Sequence, residues 1–381
     1  MADGAGAVAA SPIAVEVYSS FDALPPSLTQ FLAAAGERSF FRGIPWFRTM
    51  LATAGPRTDS PRIYAALCGG RPAAVLVARE RKNAGRLKRH MLLGPSRGLY
   101  VTLYAPIIDA ELGPAGLAAI ARAIARARPR FDVLRFDGLD RHAPEFAAFA
   151  AALRRAGLLR QVFANFYNCY GAIDGETVAR YLERLPPEQR ELIETKVRAL
   201  AQSGRGRFEM IEGGATLKAA LIDYALVDVQ GPSDPEPYPD CAAEVFRIAA
   251  EAGGLRLGLY YIDGEPAAAQ AWIVSGGQAT IWRSHHAYKF FTLFAETALT
   301  YEMFGRVLAG GQVREIDYGA GHDEMIRDWF SRDRERVGVL VFNPRTAKGL
   351  MSAAWHIGGH AAKAAARPPW RLLKRILARL R

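Results

Sequence analysis

The sequence uses one phrase twice. "CGGRPAAVLVA" spans Cys68 to Ala78 and "IDGEPAAAQAW" spans Ile262 to Trp272; each reads as a glycine turn, then X-Pro-Ala-Ala, then an apolar run. The surroundings repeat as well. In the first half "RIYAAL" reads as a strand, "CGGRP" as a turn and "AAVLVARE" as a second strand; the alanine-rich helix "GPAGLAAIARAIARARPR" follows, then the buried strand "FDVLRFDG". In the second half "LRLGLYYI", "DGEP" and "AAAQAWIV" form the hairpin, "SGG" turns the chain into "QATIWRSHH", and "ETALTYEMFGRVLAGG" has helical spacing. "VREIDYG" is then a strand ending in Asp317-Tyr318-Gly319, and "RVGVLVFNP" closes the unit. This order predicts a duplicated α+β unit; the other reading is that Gly-X-Pro hairpin chemistry recurs by chance.

A chain of 381 residues has room for two ordinary domains. Three cysteines, Cys68, Cys169 and Cys241, share no metal-ligand spacing and are too few for a disulfide framework, which points to a reducing compartment. The N-terminus lacks the pattern of a signal peptide, and no apolar run reaches the roughly 18 residues of a spanning helix. The expectation is a cytoplasmic protein. Net charge is +11, but seven of those eleven charges stand in the last 33 residues, and no acid follows Arg336. A body near +4 is not that of a DNA-binding protein, and no DNA partner is expected.

With these stretches laid out, the chain resembles the GNAT-fold acyltransferases of the FemAB-like and cellulose-biosynthesis-associated (CelD-like) bacterial family. The likeness rests on "SFFRGIPWFRTML", "YLERLPPEQRELIETKVRALAQSGRGRFEMIE", "LYYIDGEPAAAQAWIVSGGQATIWRSHHAY", "GQVREIDYGAGHDEMIRDWF" and "RVGVLVFNPRTAKGL". It implies two tandem GNAT-like units with mixed, mostly antiparallel sheets flanked by helices, over residues 1–170 and 171–348; the charge pattern adds a basic amphipathic tail over 349–381, ending in a C-terminal helix. It also implies acyl transfer to an amine, with acyl-CoA or acyl carrier protein as co-substrate and no bound cofactor. Two positions depart from the family. "KFFTLF" stands where a Pro-Gly usually precedes the helix after the fourth strand, and Met325-Ile326 replace a Tyr-Lys. The pyrophosphate loop of ordinary GNAT enzymes is absent too.

In such a fold the cleft opens where the fourth and fifth strands, here "QATIWRSHH" and "VREIDYG", splay apart. The resemblance therefore gathers His285, His286, Tyr288 and Lys289 on one side and Asp317, Tyr318, His322 and Asp323 on the other. Amide formation needs a base for the ammonium proton and an acid for the thiolate. Histidine titrates near neutrality, so His286 or His285 is the expected base, because alternation sends one of them toward the cleft. Asp317 is expected to orient a histidine or bind the substrate ammonium, and Tyr318 to act as acid. Tyr288, Lys289, His322 and Asp323 are expected to bind substrate, and the helix start near Glu296 to offer N–H groups to a phosphate. The bland readings are surface histidines, an Asp317 that caps its turn, a Tyr318 in the core and a helix cap at His322-Asp323. "HIGGH" carries two glycines between its histidines, so no metal is expected.

"RPPWRLLKRILARLR" ends the chain. On a helix Trp370 falls with Leu373, Ile376, Leu377 and Leu380, opposite Arg371, Lys374, Arg375 and Arg379. That is the pattern of a helix lying in an anionic membrane surface; a helix docked on its own domain, or RNA binding, are the other readings. Together these features lead to an N-acyltransferase peripheral to the inner membrane, acting on a lipid amine such as a sphingoid base, as a ceramide synthase does, or on an envelope precursor. The alternatives are a FemAB-like enzyme using aminoacyl-tRNA and a non-catalytic GNAT-like scaffold in polysaccharide biosynthesis.

Overall fold

The protein is described by a computed structural model covering residues 12–96, 98–232, 237–320 and 327–358. The first unit runs β1 (Ile13–Tyr18), α1 (Pro26–Arg38), α2 (Ile44–Thr53), β2 (Ser60–Cys68), β3 (Arg71–Ala84), β4 (Arg89–Leu93), the short β5 (Ile107–Ile108), α3 (Gly113–Arg126), β6 (Val133–Asp140), α4 (Pro144–Arg155) and β7 (Leu159–Ala172). Two linking helices follow, α5 (Val178–Leu182) and α6 (Pro187–Ser203). The second unit runs β8 (Gly206–Ile211), α7 (Leu217–Val229), α8 (Pro239–Glu251), β9 (Leu255–Ile262), β10 (Glu265–Ser275), β11 (Gln278–His286), α9 (Ala295–Ala309), β12 (Glu315–Asp317) and β13 (Arg332–Phe342). A last helix, α10, covers Ala347–Ala353.

Both quoted phrases are two-residue hairpins. Gly69 and Gly70, like Asp263 and Gly264, take positive φ at both central positions, the conformation whose twist matches paired strands. Each hairpin is followed by an irregularity in register near its proline, between Ala66 and Leu67 in the first unit and between Pro266 and Ala268 in the second. The crossover helices bury one face. In α3 this is Leu117, Ile120, Ala121 and Ile124; in α9 it is Leu299, Met303, Phe304 and Val307.

All the described strands join one sheet, in the order β1-β2-β3-β4-β6-β13-β7-β12-β11-β10-β9-β8, with β5 pairing on β3. When β1, β2, β3, β4, β6 and β7 are matched with β8, β9, β10, β11, β12 and β13, this order is the same read from either end. The structure is therefore a tandem duplication, and each unit lends its last strand to the other. β13 lies on β6 and β7 on β12, both antiparallel, and β7 and β13 pair with each other from Arg332 beside Tyr170 to Phe342 beside Leu159.

Aromatic packing seals the two units. Trp282 of β11 meets Trp46 of α2 edge-on at 6.1 Å and Phe246 of α8 at 5.7 Å. The Phe40 N–H donates to Ser275 Oγ at 3.0 Å. Gly276 has no room for a side chain there, since a Cβ would stand 2.0 Å from the Arg38 carbonyl oxygen.

Two sequence expectations change in detail. "VREIDYG" contributes three residues to β12, because the chain leaves the sheet once Tyr318 N–H has donated to the Cys169 carbonyl at 2.9 Å. The final strand starts earlier than "RVGVLVFNP", at Arg332, where it meets Tyr170.

Candidate active site

β11 and β12 run parallel only from Gln278 beside Glu315 to Thr280 beside Asp317. β11 then continues six residues to His286, and among the described residues no strand pairs with that edge of it. This is the expected splay. Its base is a narrow crevice lined by residues that include Thr102, Phe166, Asn168, Thr280, Asp317 and Arg336, with about 20 Å³ of free volume, room for roughly one water molecule.

Strand alternation sends the two histidines to opposite faces. On β10, Ala269, Ala271 and Ile273 pack with the α7 and α8 side, whereas Ala268 and Trp272 pack with α9. His285 stands opposite Ala269 and His286 opposite Ala268, so each follows its partner. On the α7 face, His285 Nε2 lies 3.0 Å from Tyr224 Oη and its Nδ1 lies 3.4 Å from Asp228 Oδ1. On the α9 face, His286 is buried, with Nδ1 2.8 Å from Glu296 Oε2.

Glu296 belongs to the first turn of α9, where a carboxylate is favoured by the helix dipole. It is 2 % exposed and sits in a buried polar chain. Its Oε1 accepts from Ser284 Oγ at 2.6 Å, and Gln270 Nε2 donates to Ser284 Oγ at 3.1 Å and to Thr300 Oγ1 at 2.7 Å. Trp272 Nε1 donates to Gln270 Oε1 at 2.9 Å, and Thr300 Oγ1 donates back to the Glu296 carbonyl at 2.8 Å. The network holds one carboxylate oxygen, Oε1, while Oε2 has no hydrogen bond among the described residues and faces the imidazole as an ion-pair contact. Sequence reading did not single out Glu296 as a histidine partner. The available signal was the pair of polar residues Gln270 and Thr300 in otherwise apolar segments.

Above His286 the "YKFFTLF" segment forms a short 3-10 helix, Tyr288–Leu293. Phe291 lies 5.6 Å from the His286 ring and is half-exposed, and Tyr288 is exposed. Phe294 takes φ 59° just before α9, so a non-glycine residue adopts the left-handed conformation where the family usually has Pro-Gly. Lys289 is exposed and ion-paired with Glu265.

One expected role is corrected. Asp317 does not orient a histidine, because it lies six β11 positions before His286, about 20 Å along a strand. Its Oδ1 accepts from Asn168 Nδ2 at 2.9 Å and from the Gly319 N–H at 2.6 Å, and its Oδ2 pairs with Arg334. Arg334 also binds Glu315 at 2.6 Å; although burial pulls its pKa down, Asp317 and Glu315 outweigh that and hold it above the ordinary value. Asp317 therefore caps its turn and fastens β12 to β13. Tyr318 is buried and stacks on Phe330 at 6.3 Å within the α9-side core, a setting that gives the acid role no support. The start of α9 is likewise unsuited to a phosphate, since Glu296 already supplies the negative charge there. His322 and Asp323, and the membrane-binding set Trp370, Arg371, Lys374, Arg375 and Arg379, lie outside the described residues. Among the described residues no group of three or more His, Cys, Asp or Glu is arranged to hold a metal ion.

The first unit lacks this arrangement. By the shared register Leu93 corresponds to Thr280, and β4 stops there. Pro114 occupies the second position of α3, where α9 has Glu296.

Residues 187–331 match the acetyltransferase (GNAT) domain family. The second unit is thus similar to the GNAT acetyltransferase domain. Among solved structures, FemX aligns with 87% of this chain and 98% of its own, at 11% identity and a TM-score of 0.57. A conserved protein of unknown function from Bacteroides thetaiotaomicron aligns with 86% of this chain and all of its own, at 10% identity and a TM-score of 0.55. L-PGS from Bacillus licheniformis covers 88% of this chain and 97% of its own, at 12% identity and a TM-score of 0.50. At these identities the likeness is one of fold. No curated protein matches the sequence. The matched GNAT segment contains β11, α9 and β12, and with them His286 and Glu296.

Proposed function

We propose that the protein is an N-acyltransferase, with His286 as base, that moves an acyl group from coenzyme A or acyl carrier protein to the amine of a membrane-associated lipid or envelope precursor. The observation that carries this reading is the buried His286–Glu296 pair at the end of the unpaired reach of β11. Glu296 holds the imidazole in one orientation and stabilises its protonated form, the service a buried carboxylate gives a catalytic histidine. The amine nitrogen attacks the thioester carbonyl, His286 takes the ammonium proton, the carbon–sulfur bond breaks, and the proton passes to the leaving thiolate.

His285 is the weaker candidate, because both of its ring nitrogens already face Tyr224 and Asp228. The exposed aromatics Tyr288 and Phe291 favour an acceptor or acyl chain with apolar character, such as a sphingoid base. The basic, amphipathic sequence at the C-terminus supports action at the inner membrane from the cytoplasmic side.

Thiol release by the purified protein tests this directly, with acetyl-, palmitoyl- and longer acyl-CoA against amines that include a sphingoid base and an amino sugar. Release that needs both a long acyl-CoA and a lipid amine is expected; no release from any pair contradicts it. The fold shared with FemX over 87% of the chain favours a second reading, an aminoacyl-tRNA donor. Retention of charged tRNA by the protein, together with silence in the thioester assay, would select it.

A further inference from the structure

In the first unit, where β6 begins and β13 ends, six arginines line one open pocket. Arg122 and Arg126 come from α3, Arg128 and Arg130 from the loop after it, Arg155 from α4, and Arg345 from the turn after β13. Among the described residues none of the six has a carboxylate within ion-pairing distance, and the Nε of Arg130 is buried without a hydrogen-bond partner. The nearby acid Asp132 is itself buried and accepts from the His90 N–H at 2.7 Å. Six uncompensated guanidiniums converging on one pocket are the chemistry of phosphate recognition.

Arg345 stands two residues before α10, and α10 and its continuation carry an apolar patch. Leu350 is 53% exposed, Met351 50%, Trp355 80% and Ile357 39%. The inner side of this segment is anchored: Ala353 packs with Val133 and Phe342, and His356 stacks on Phe342 at 5.6 Å. The β3–β4 hairpin lies alongside, with Lys348 Nζ donating to the Lys88 carbonyl at 2.8 Å and Leu87 exposed at its tip. Burial, then Arg89 and Arg135, holds the His356 pKa below its ordinary value, which agrees with a positive local potential.

We propose that this end of the first unit docks on an anionic phospholipid bilayer, with Leu350, Met351, Trp355 and Ile357 entering the interface and the arginine pocket taking lipid phosphates. Charge complementarity selects the partner. A cationic pocket beside an exposed tryptophan and aliphatics suits a surface that is negative at its face and apolar just beneath. An RNA would use the arginines but leave the aliphatic patch in water. The proposal does not rest on the acyl-transfer reading, and its test reads binding alone.

The experiment is co-sedimentation of the full chain with vesicles of phosphatidylcholine alone and of phosphatidylcholine with phosphatidylglycerol. Residues 359–381 are then present in wild type and variants alike. Wild type is expected to bind the anionic vesicles at least about tenfold better than the neutral ones. Trp355→Ala with Leu350→Ala, and separately Arg126→Glu with Arg128→Glu, are each expected to cut binding by at least about tenfold, since one basic residue at such a surface contributes about fivefold. All four positions are exposed, so folding is expected to survive. Binding that ignores either pair overturns the proposal. So does binding unchanged with a lowered melting temperature, which would mean that the chain's own end covers the patch. Loss of RNA retention by the arginine pair, with vesicle binding intact, overturns it in favour of a nucleic-acid site.

Discussion

His286 Nδ1 and Glu296 Oε2 lie 2.8 Å apart in the core, one at the last residue of β11 and the other in the first turn of α9. The pair ties the reach of β11 beyond its last pairing with β12 to the helix that crosses back over the sheet. Ser284, Gln270, Thr300 and Trp272 hold the carboxylate from behind. The functional reading depends on this relationship.

Replacing Glu296 separates chemistry from folding. Glu296→Gln keeps a hydrogen-bonding group beside Ser284 but removes the charge that stabilises imidazolium, and kcat is expected to fall about 10²- to 10³-fold. Glu296→Ala leaves a buried histidine and serine without their partner and is expected to cost roughly 3 kcal/mol of stability as well. Steady-state rates and urea midpoints on both variants check this.

Asp317→Asn should behave in the opposite way. The aspartate fastens β12 to β13 through Arg334 and caps the turn at Gly319. Loss of its charge is expected to destabilise the fold by roughly 3 kcal/mol while changing kcat by less than about threefold at a temperature where the variant is folded. A large fall in kcat with little loss of stability would return Asp317 to the reaction.

Cys169 is expected to be inert. Burial, then the Asp333 carboxylate 3.1 Å from its Sγ, pushes the thiol up to about 12, so it stays protonated at pH 8. Iodoacetamide at pH 8 should leave Cys169 unmodified in the folded protein, as peptide mass spectrometry would show, and Cys169→Ser should retain activity.

His356 gives the fold a dependence on pH. Its folded pKa lies below the ordinary 6.5, first through burial and then through Arg89 and Arg135. Below pH 6.5 the unfolded chain binds the proton more readily than the folded one, so this contribution is complete above 6.5 and is lost as the pH falls through the lower folded value. The gap in urea midpoint between wild type and His356→Asn is expected to narrow between pH 7.5 and pH 5.

Much of the architecture was legible because it is written locally. Gly69-Gly70 and Asp263-Gly264 announce two hairpins, and "QATIWRSHH" is β11 from end to end. The duplication follows from those segments and their order. The exchange of β7 and β13 was not legible, since Arg332 and Tyr170 are paired across the molecule by a contact that neither segment encodes alone. The site divided in the same way. Alternation separated His285 from His286, but their partners come from other elements: Asp228 from α7 and Glu296 from α9. For Asp317 the sequence leaves two readings open, since a carboxylate at a strand end can serve chemistry or a turn, and the partner that fastens it here, Arg334, is supplied by β13.

The central claim is that His286, and not His285, is the base. The most direct test compares His286→Ala with His285→Ala in thiol release from a long acyl-CoA with a lipid amine, at saturating donor. His286→Ala is expected to lower kcat at least about 100-fold and His285→Ala to lower it less than about fivefold. Equal rates for His286→Ala and wild type, or the larger loss in His285→Ala, would contradict it.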